Sequence, residues 1–182
     1  MNIIKTPFKG CFVIEPQLFS DDRGYFFETF NEKKFLELTG LTVSFVQDNE
    51  AFSNRGIVRG LHFQKGKHAQ AKLVRVIQGK VLDVVVDLRE DSDTYGEHFS
   101  MILSGENKKQ LFIPRGFAHG YSVLEDHTVF VYKCDNYYHK ESEGGIIYND
   151  EELNIDWMLP ESEIQLSEKD KVLPGFMNII LE

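Results

Sequence analysis

Ile57-Val-Arg-Gly-Leu-His-Phe-Gln64 and, a short loop later, Ala71-Lys-Leu-Val-Arg-Val-Ile-Gln-Gly79 carry a histidine and a lysine inside otherwise apolar, strand-like runs. Burying an unpaired charge costs several kcal/mol or shifts the group's pKa until it is neutral, so each residue needs either a partner or a task. A core histidine satisfied by a neighbour meets that need as well as a catalytic one does, so these two runs alone leave the matter open.

Outward from these runs the pattern is one of strands. Thr42–Phe52, Ile57–Gln64, Ala71–Gln78, Lys80–Asp87, Glu97–Leu103, Lys109–Ile113, His119–Val123 and Thr128–Cys134 are each rich in β-branched or aromatic residues and separated by turn signals. Short strands at this spacing predict an all-β sandwich or barrel in one domain spanning residues 1–182. Helical periodicity is confined to Asn31–Gly40, with Asn31 as N-cap and Gly40 as stop, and to a shorter turn after Ser167. Gln78-Gly79 and Glu125-Asp126 are expected to be hairpin turns. The first would set Val74 opposite Asp83 and Lys72 diagonal to it, giving the lysine a carboxylate that keeps it protonated. On Thr128–Cys134, alternation puts Phe130, Tyr132 and Cys134 on one face. The chain after Glu141 is expected to be loop-rich.

Composition narrows the function classes. The chain has 182 residues and a net charge of −9, which argues against nucleic acid as a partner but leaves room for a small anionic ligand. Cys11 and Cys134 are the only cysteines and show no metal-binding or CxxC spacing. No disulfide framework is expected, and a reducing cytoplasm fits. The N-terminal residues lack the apolar core of a signal peptide, and no apolar run reaches membrane-spanning length. A soluble cytoplasmic protein is the expectation. A nucleophile elbow, a phosphate-cradling glycine loop and a dinucleotide fingerprint are all missing from the sequence.

Pro114-Arg-Gly-Phe-Ala-His119 resembles the second motif of the cupin jelly roll, in which a Pro-x-Gly turn aims a histidine into the barrel. The place of the first cupin motif holds Gly60-Leu-His-Phe-Gln64, with glutamine where a second histidine ligand would stand. That leaves too few ligands for a catalytic metal, so no metal and no cofactor are expected. His62 as base, Lys72 as ammonium and Tyr132 as phenol form a set suited to a carbon acid beside a ketone. The base removes the proton, the cation steadies the enolate and the phenol returns a proton. A neutral imidazole base needs its tautomer held by a carboxylate, and Asp170 is the candidate.

Seven segments in register resemble the dTDP-4-dehydrorhamnose 3,5-epimerase family: Asp21–Glu28, Phe45–Asn49, Gly56–Phe63, Lys72–Val76, Asp83–Arg89, Ile113–Gly120 and Leu166–Asp170. The resemblance implies a metal-free cupin-type β-barrel with a few short peripheral helices, usually a homodimer, in dTDP-rhamnose biosynthesis for cell-surface polysaccharide. It implies the substrate dTDP-4-keto-6-deoxy-D-glucose, inverted at C3 and C5 to dTDP-4-keto-L-rhamnose. His62 would be the base, Asp170 its partner, Tyr132 the acid and Lys72 the enolate contact. Arg23, Gln47, Asn49, Arg59, His119 and Lys169 would contact the nucleotide sugar, the arginines suiting its diphosphate. Glu28, Asp48 and Glu143 occupy further binding positions, and Tyr138 would stack on the thymine. The Arg23–Glu28 segment would reach the neighbouring subunit's site. Two other readings remain open: a related nucleotide-sugar 3- or 5-epimerase or 3,4-ketoisomerase, and a non-catalytic cupin that only binds a small ligand.

Overall fold

The computed structural model describes residues 1–181, built around two facing antiparallel sheets. One sheet runs in the order β1 (Asn2–Lys5), β2 (Phe12–Glu15), β10 (Gln110–Ile113), β7 (Lys72–Gln78), β12 (Thr128–Cys134) and β5 (Gln47–Ser53). The other runs β13 (Glu143–Gly145), β6 (Val58–Gln64), β11 (Phe117–Val123), β8 (Lys80–Asp87) and β9 (His98–Ser104). A separate hairpin, β3 (Phe19–Asp21) with β4 (Gly24–Phe26), stands outside both. The sheets share no ladder, so the jelly roll is open-sided.

Three apolar layers follow from strand alternation. Val74, Val76, Val81, Val85, Leu111, Ile113, Phe117, Tyr121 and Phe130 meet between the sheets. Leu82, Val84 and Val86 point the other way and are covered by the tail, notably Ile146, Leu153 and Trp157. β8 is therefore apolar on both faces because both are buried. Helix α1 (Glu32–Thr39) covers part of the outer face of the six-stranded sheet, where Phe35 packs edge-on to Phe112 at 4.9 Å. The Asn31 side chain accepts the Lys34 N–H at its start, and Gly40 ends it in the left-handed region.

Both expected hairpins are corners instead. β7 and β8 lie in different sheets, as do β11 and β12. Gly79 turns the chain from one sheet to the other at a φ of +78°, packed so closely on Thr128 that a Cβ would fall 2.2 Å from its Oγ1. Alternation fixes which face a residue takes but not which sheet its strand joins. Asp83 accordingly pairs in register with Tyr121 and Met101, not with Val74. The expected strand from Thr42 begins only at Gln47, and the turn after Ser167 is one 3₁₀ turn, Asp170–Val172.

At the end of β8, Asp87 is buried and accepts from Arg89, Ser92 and Thr94. Burial opposes its charge, but these donors outweigh it and hold its pKa at about 2 against an ordinary 3.8. A depressed carboxyl stabilises the fold above its unfolded pKa and loses that contribution as pH falls through the folded one. About 2 kcal/mol should therefore vanish between roughly pH 4 and 2. Urea unfolding across that range should show a shallower acid limb for Asp87→Asn than for the natural chain.

Candidate functional site

A local break in alternation builds the cleft. Regular pleating would put Arg59 and His62 on opposite faces of β6, yet both point between the sheets. The register slips between them, with His119 opposite His62 and Tyr121 opposite Arg59, so three steps on β6 match two on β11. This bulge needs glycine on both strands. Gly60 has a φ of +118°, and a Cβ there would lie 2.6 Å from the Gly120 Cα. A Cβ on Gly120 would lie 2.7 Å from the Arg59 carbonyl oxygen.

The cleft holds about 660 Å³ between the sheets. Arg59, His62 and His119 line it from the five-stranded sheet, Asn49, Lys72 and Tyr132 from the six-stranded sheet, and Lys169 and Asp170 from the tail. The tail is laced to the start of β6: the Val58 N–H donates to the Gln165 carbonyl and the Gln165 N–H to that of Gly56. This lacing brings Asp170 Oδ1 to 2.6 Å from His62 Nε2. Asp170 is 3% exposed. Burial works against its charge, but hydrogen bonds from His62 and the Gly60 N–H hold its carboxyl below the usual range.

Across the cleft, Lys72 Nζ stands 6.0 Å from the centre of the Tyr132 ring. Burial lowers the Lys72 pKa, opposed by the neighbouring acidic groups Cys134, Asp83 and Glu143. Burial likewise raises the Tyr132 phenol, which therefore keeps its proton at neutral pH. Arg59 donates to the Ser53 hydroxyl at 3.2 Å. His119 points between the sheets, where it is buried, and its Nε2 lies 2.9 Å from Asp83 Oδ2. Burial lowers its pKa in spite of that carboxylate.

A side chamber continues the cleft and is lined by Gln47, Cys134, Tyr138 and Glu143. Gln47 donates to Asn49 and accepts the Tyr138 N–H. The exposed Tyr138 donates its hydroxyl to Glu143, which also pairs with Lys169. Together these donors hold Glu143 below its usual range although burial pushes the other way.

Three expected contacts fall elsewhere. Asp48 points to the outer face of β5 and pairs with Lys133 at 2.9 Å, as the alternation around Asn49 requires. Arg23 sits on the β3–β4 hairpin with its side chain 89% exposed, tied to Asp21. Glu28 pairs with Lys34. Within one chain, neither Arg23 nor Glu28 lines the cleft. Tyr121 and Gln165 were missed as cleft groups, whereas Asp83, read as the carboxylate near Lys72, lies behind the cleft lining, bonded to His119. Asp83 had a signal, as one of only two charges along Val81–Leu88. Tyr121 and Gln165 had none.

Among the described residues, no three His, Cys, Asp or Glu side chains gather as a metal-holding group. An open jelly roll that sets a histidine–carboxylate pair against a phenol and an ammonium belongs with the cupin-type sugar isomerases. The family model described as dTDP-4-dehydrorhamnose 3,5-epimerase matches residues 5–178, and the chain belongs to that family. The enzyme of that name from Escherichia coli K12 is 50% identical over 174 residues, 95% of this chain and 93% of the relative. The crystal structure of the enzyme from Elizabethkingia anophelis superposes with a TM-score of 0.95 at 58% identity, covering 98% of this chain and 97% of the other. A Legionella pneumophila dTDP-6-deoxy-D-glucose-3,5-epimerase, solved with dTDP-4-keto-L-rhamnose, gives 0.94 at 49% identity, covering 98% and 94%.

The bulge yields a direct test. Gly120→Ala forces a methyl onto the Arg59 backbone, so it should cost about 1–3 kcal/mol, as over-packed sites do. Thermal unfolding should show a fall of roughly 2–4 °C per kcal/mol. An unchanged melting temperature would show that the two strands can part there without cost.

Proposed function

We propose that the chain is a dTDP-4-dehydrorhamnose 3,5-epimerase, inverting C3 and C5 of dTDP-4-keto-6-deoxy-D-glucose by proton transfer through enolates. The observation that carries this reading is that His62 and Tyr132 enter the cleft from opposite sheets. A carbon acid is inverted only if the proton leaves one face and returns to the other.

Each role follows from chemistry at a named atom. Asp170 is acceptor-only as a carboxylate, so His62 Nε2 carries the hydrogen between them and Nδ1 keeps its lone pair. That nitrogen takes the proton beside the ketone. Lys72 holds the negative charge that develops on the ketone oxygen, where an ammonium half-buried between two sheets acts more strongly than it would in water. Tyr132, kept protonated by burial, delivers a proton to the other face. Asn49, Arg59, His119 and Lys169 hold the sugar and diphosphate, while Gln47, Tyr138 and Glu143 in the side chamber receive the nucleoside. No cofactor takes part in these steps.

Arg23, Glu28 and Asp48 are binding residues in this reading too, the first two through a homodimer. The hairpin that carries Arg23 also exposes Phe19, Tyr25 and Phe26, and the outer face of the neighbouring sheet exposes Phe52 and Ile77. An apolar, cation-tipped hairpin of this kind suits insertion into a second copy's cleft mouth. No helix among the described residues is long and apolar enough to cross a membrane. Two unpaired cysteines, both buried, agree with an enzyme working in the cytoplasm.

Turnover in heavy water tests the reaction. Deuterium should enter at both C3 and C5 of the product; label at one carbon, or a migrated carbonyl, would replace the reading with a single-site epimerase or a ketoisomerase. Tyr132→Phe should keep hydrogen exchange while losing net inversion by roughly 10²-fold or more. Equal loss of both would remove the phenol from its role.

Subunit sharing has its own test. Arg23→Ala and His62→Ala chains, each nearly inactive alone, should regain about a quarter of wild-type activity when co-expressed, since half the dimers are mixed and each holds one intact site. No recovery would confine each site to a single chain.

A further inference from the structure

The proton-transfer scheme leaves one buried charge in the cleft wall without a role. Asp83 lies mid-strand in β8 with 0% of its surface exposed. Its Oδ2 is engaged by His119, but its Oδ1 is the one buried side-chain nitrogen or oxygen among the described residues that has no hydrogen-bond partner. Lys72, on the facing sheet, is the complementary case. It is half-buried with its ammonium reaching into the cleft, lies within the field of Asp83, and forms no ion pair or hydrogen bond among the described residues.

We propose that Asp83 is a positioning residue: anchored by His119, its carboxylate supplies the counter-charge that keeps Lys72 an ammonium where the enolate oxygen forms. The inference rests on the epimerase reading above and adds to it the group that sustains its electrophile. The other groups around Lys72 do not meet that need. From β12, Cys134 is a neutral thiol, its pKa pushed up to about 11 by burial, and Tyr132 is a neutral phenol. β10 offers the apolar Ile113, and β5 offers the uncharged Asn49. His62 on β6 and His119 on β11 bring no negative charge. Glu143 on β13 is committed to Lys169 and the Tyr138 hydroxyl. Asp83 is the carboxylate left over, because burial keeps its own partner His119 neutral.

Distance is part of the device. A carboxylate bonded directly to Nζ would occupy the donors that the enolate oxygen must use. One set further back keeps the proton on without competing for it. His119 then has a second task besides touching substrate: its N–H holds the Asp83 side chain in place.

The test is Asp83→Asn, which keeps the shape and removes the charge. Turnover at neutral pH should fall roughly 10- to 100-fold with KM within about threefold, because the lost interaction belongs to the transition state. The alkaline limb of kcat should move down by about one pH unit. Titration of Lys72, followed by NMR of the ¹³C-lysine protein, should shift down equally. That readout needs no substrate, so it stands even if the heavy-water experiment rejects epimerase chemistry. In a Lys72→Met background, Asp83→Asn should cost no further activity. An unmoved Lys72 titration, or an equal loss in both backgrounds, would overturn the proposal. Should Asp83→Asn fail to fold, rescue of folding by the double variant supports the charge pairing, and failure of the double variant as well makes Asp83 purely structural and sinks the idea.

Discussion

Charge placed between two sheets of valine and phenylalanine must be answered by something nearby, and this chain answers each one separately. Asp170 meets His62, Asp83 meets His119, Glu143 meets Lys169, and Asp87 meets Arg89. In a low-dielectric interior an unanswered charge costs several kcal/mol, whereas an answered one becomes a fixed dipole whose orientation is set before any ligand arrives. Among the described residues Lys72 and the more exposed Arg59 are exceptions, with no carboxylate oxygen within ion-pair distance, and of the two Lys72 is the more enclosed. An ammonium left in that condition gains most from a new anion, and an enolate is one.

The fold serves that electrostatic arrangement through a few backbone choices. The Gly60–Gly120 approach turns Arg59 and His62 to the same side, and the lacing of Gln165 along β6 carries Asp170 to the imidazole. Neither is a property of the catalytic residues themselves. The tail that shields the outer face of the five-stranded sheet, through Ile146, Leu153 and Trp157, also delivers half of the histidine pair. Packing and site assembly are thus one event: tail docking that covers Leu82, Val84 and Val86 also completes the base.

Much of this was legible in the residues. Polar side chains in apolar strands marked His62, Lys72 and Tyr132, and alternation put Phe130, Tyr132 and Cys134 on one face, as observed. The helix at Asn31–Gly40 followed from its caps. Sheet membership was not legible, because a two-residue corner and a hairpin have the same turn chemistry, and so Asp83 was set opposite Val74 instead of Tyr121. The bulge was hidden as well: Gly60 signals a special backbone, but only its meeting with Gly120 shows that Arg59 changes face. Asp48 reads as a cleft residue by its place between Gln47 and Asn49, yet the pleat that turns those two inward turns it out. The link between His62 and Asp170 spans 108 residues and has no sequence signature beyond the two residues themselves.

A sandwich cleft suits inversion for a reason that precedes any particular side chain. Were base and acid to project from one sheet, a proton taken from carbon would return to the same face, and the outcome would be exchange with solvent without a change of configuration. Here the imidazole belongs to β6 and the phenol to β12, so the two groups are separated by whatever lies between the sheets. The ammonium shares the phenol's sheet, and Lys72 and Cys134 are register partners two positions from Tyr132. Electrophile and acid are therefore held on one rigid ladder, and the base on the other. A small change in the spacing of the sheets would alter the base-to-carbon distance while leaving the ammonium and phenol in register. The open side of the jelly roll admits the substrate, and the Gly60–Gly120 contact and the docked tail fix the wall that carries the base.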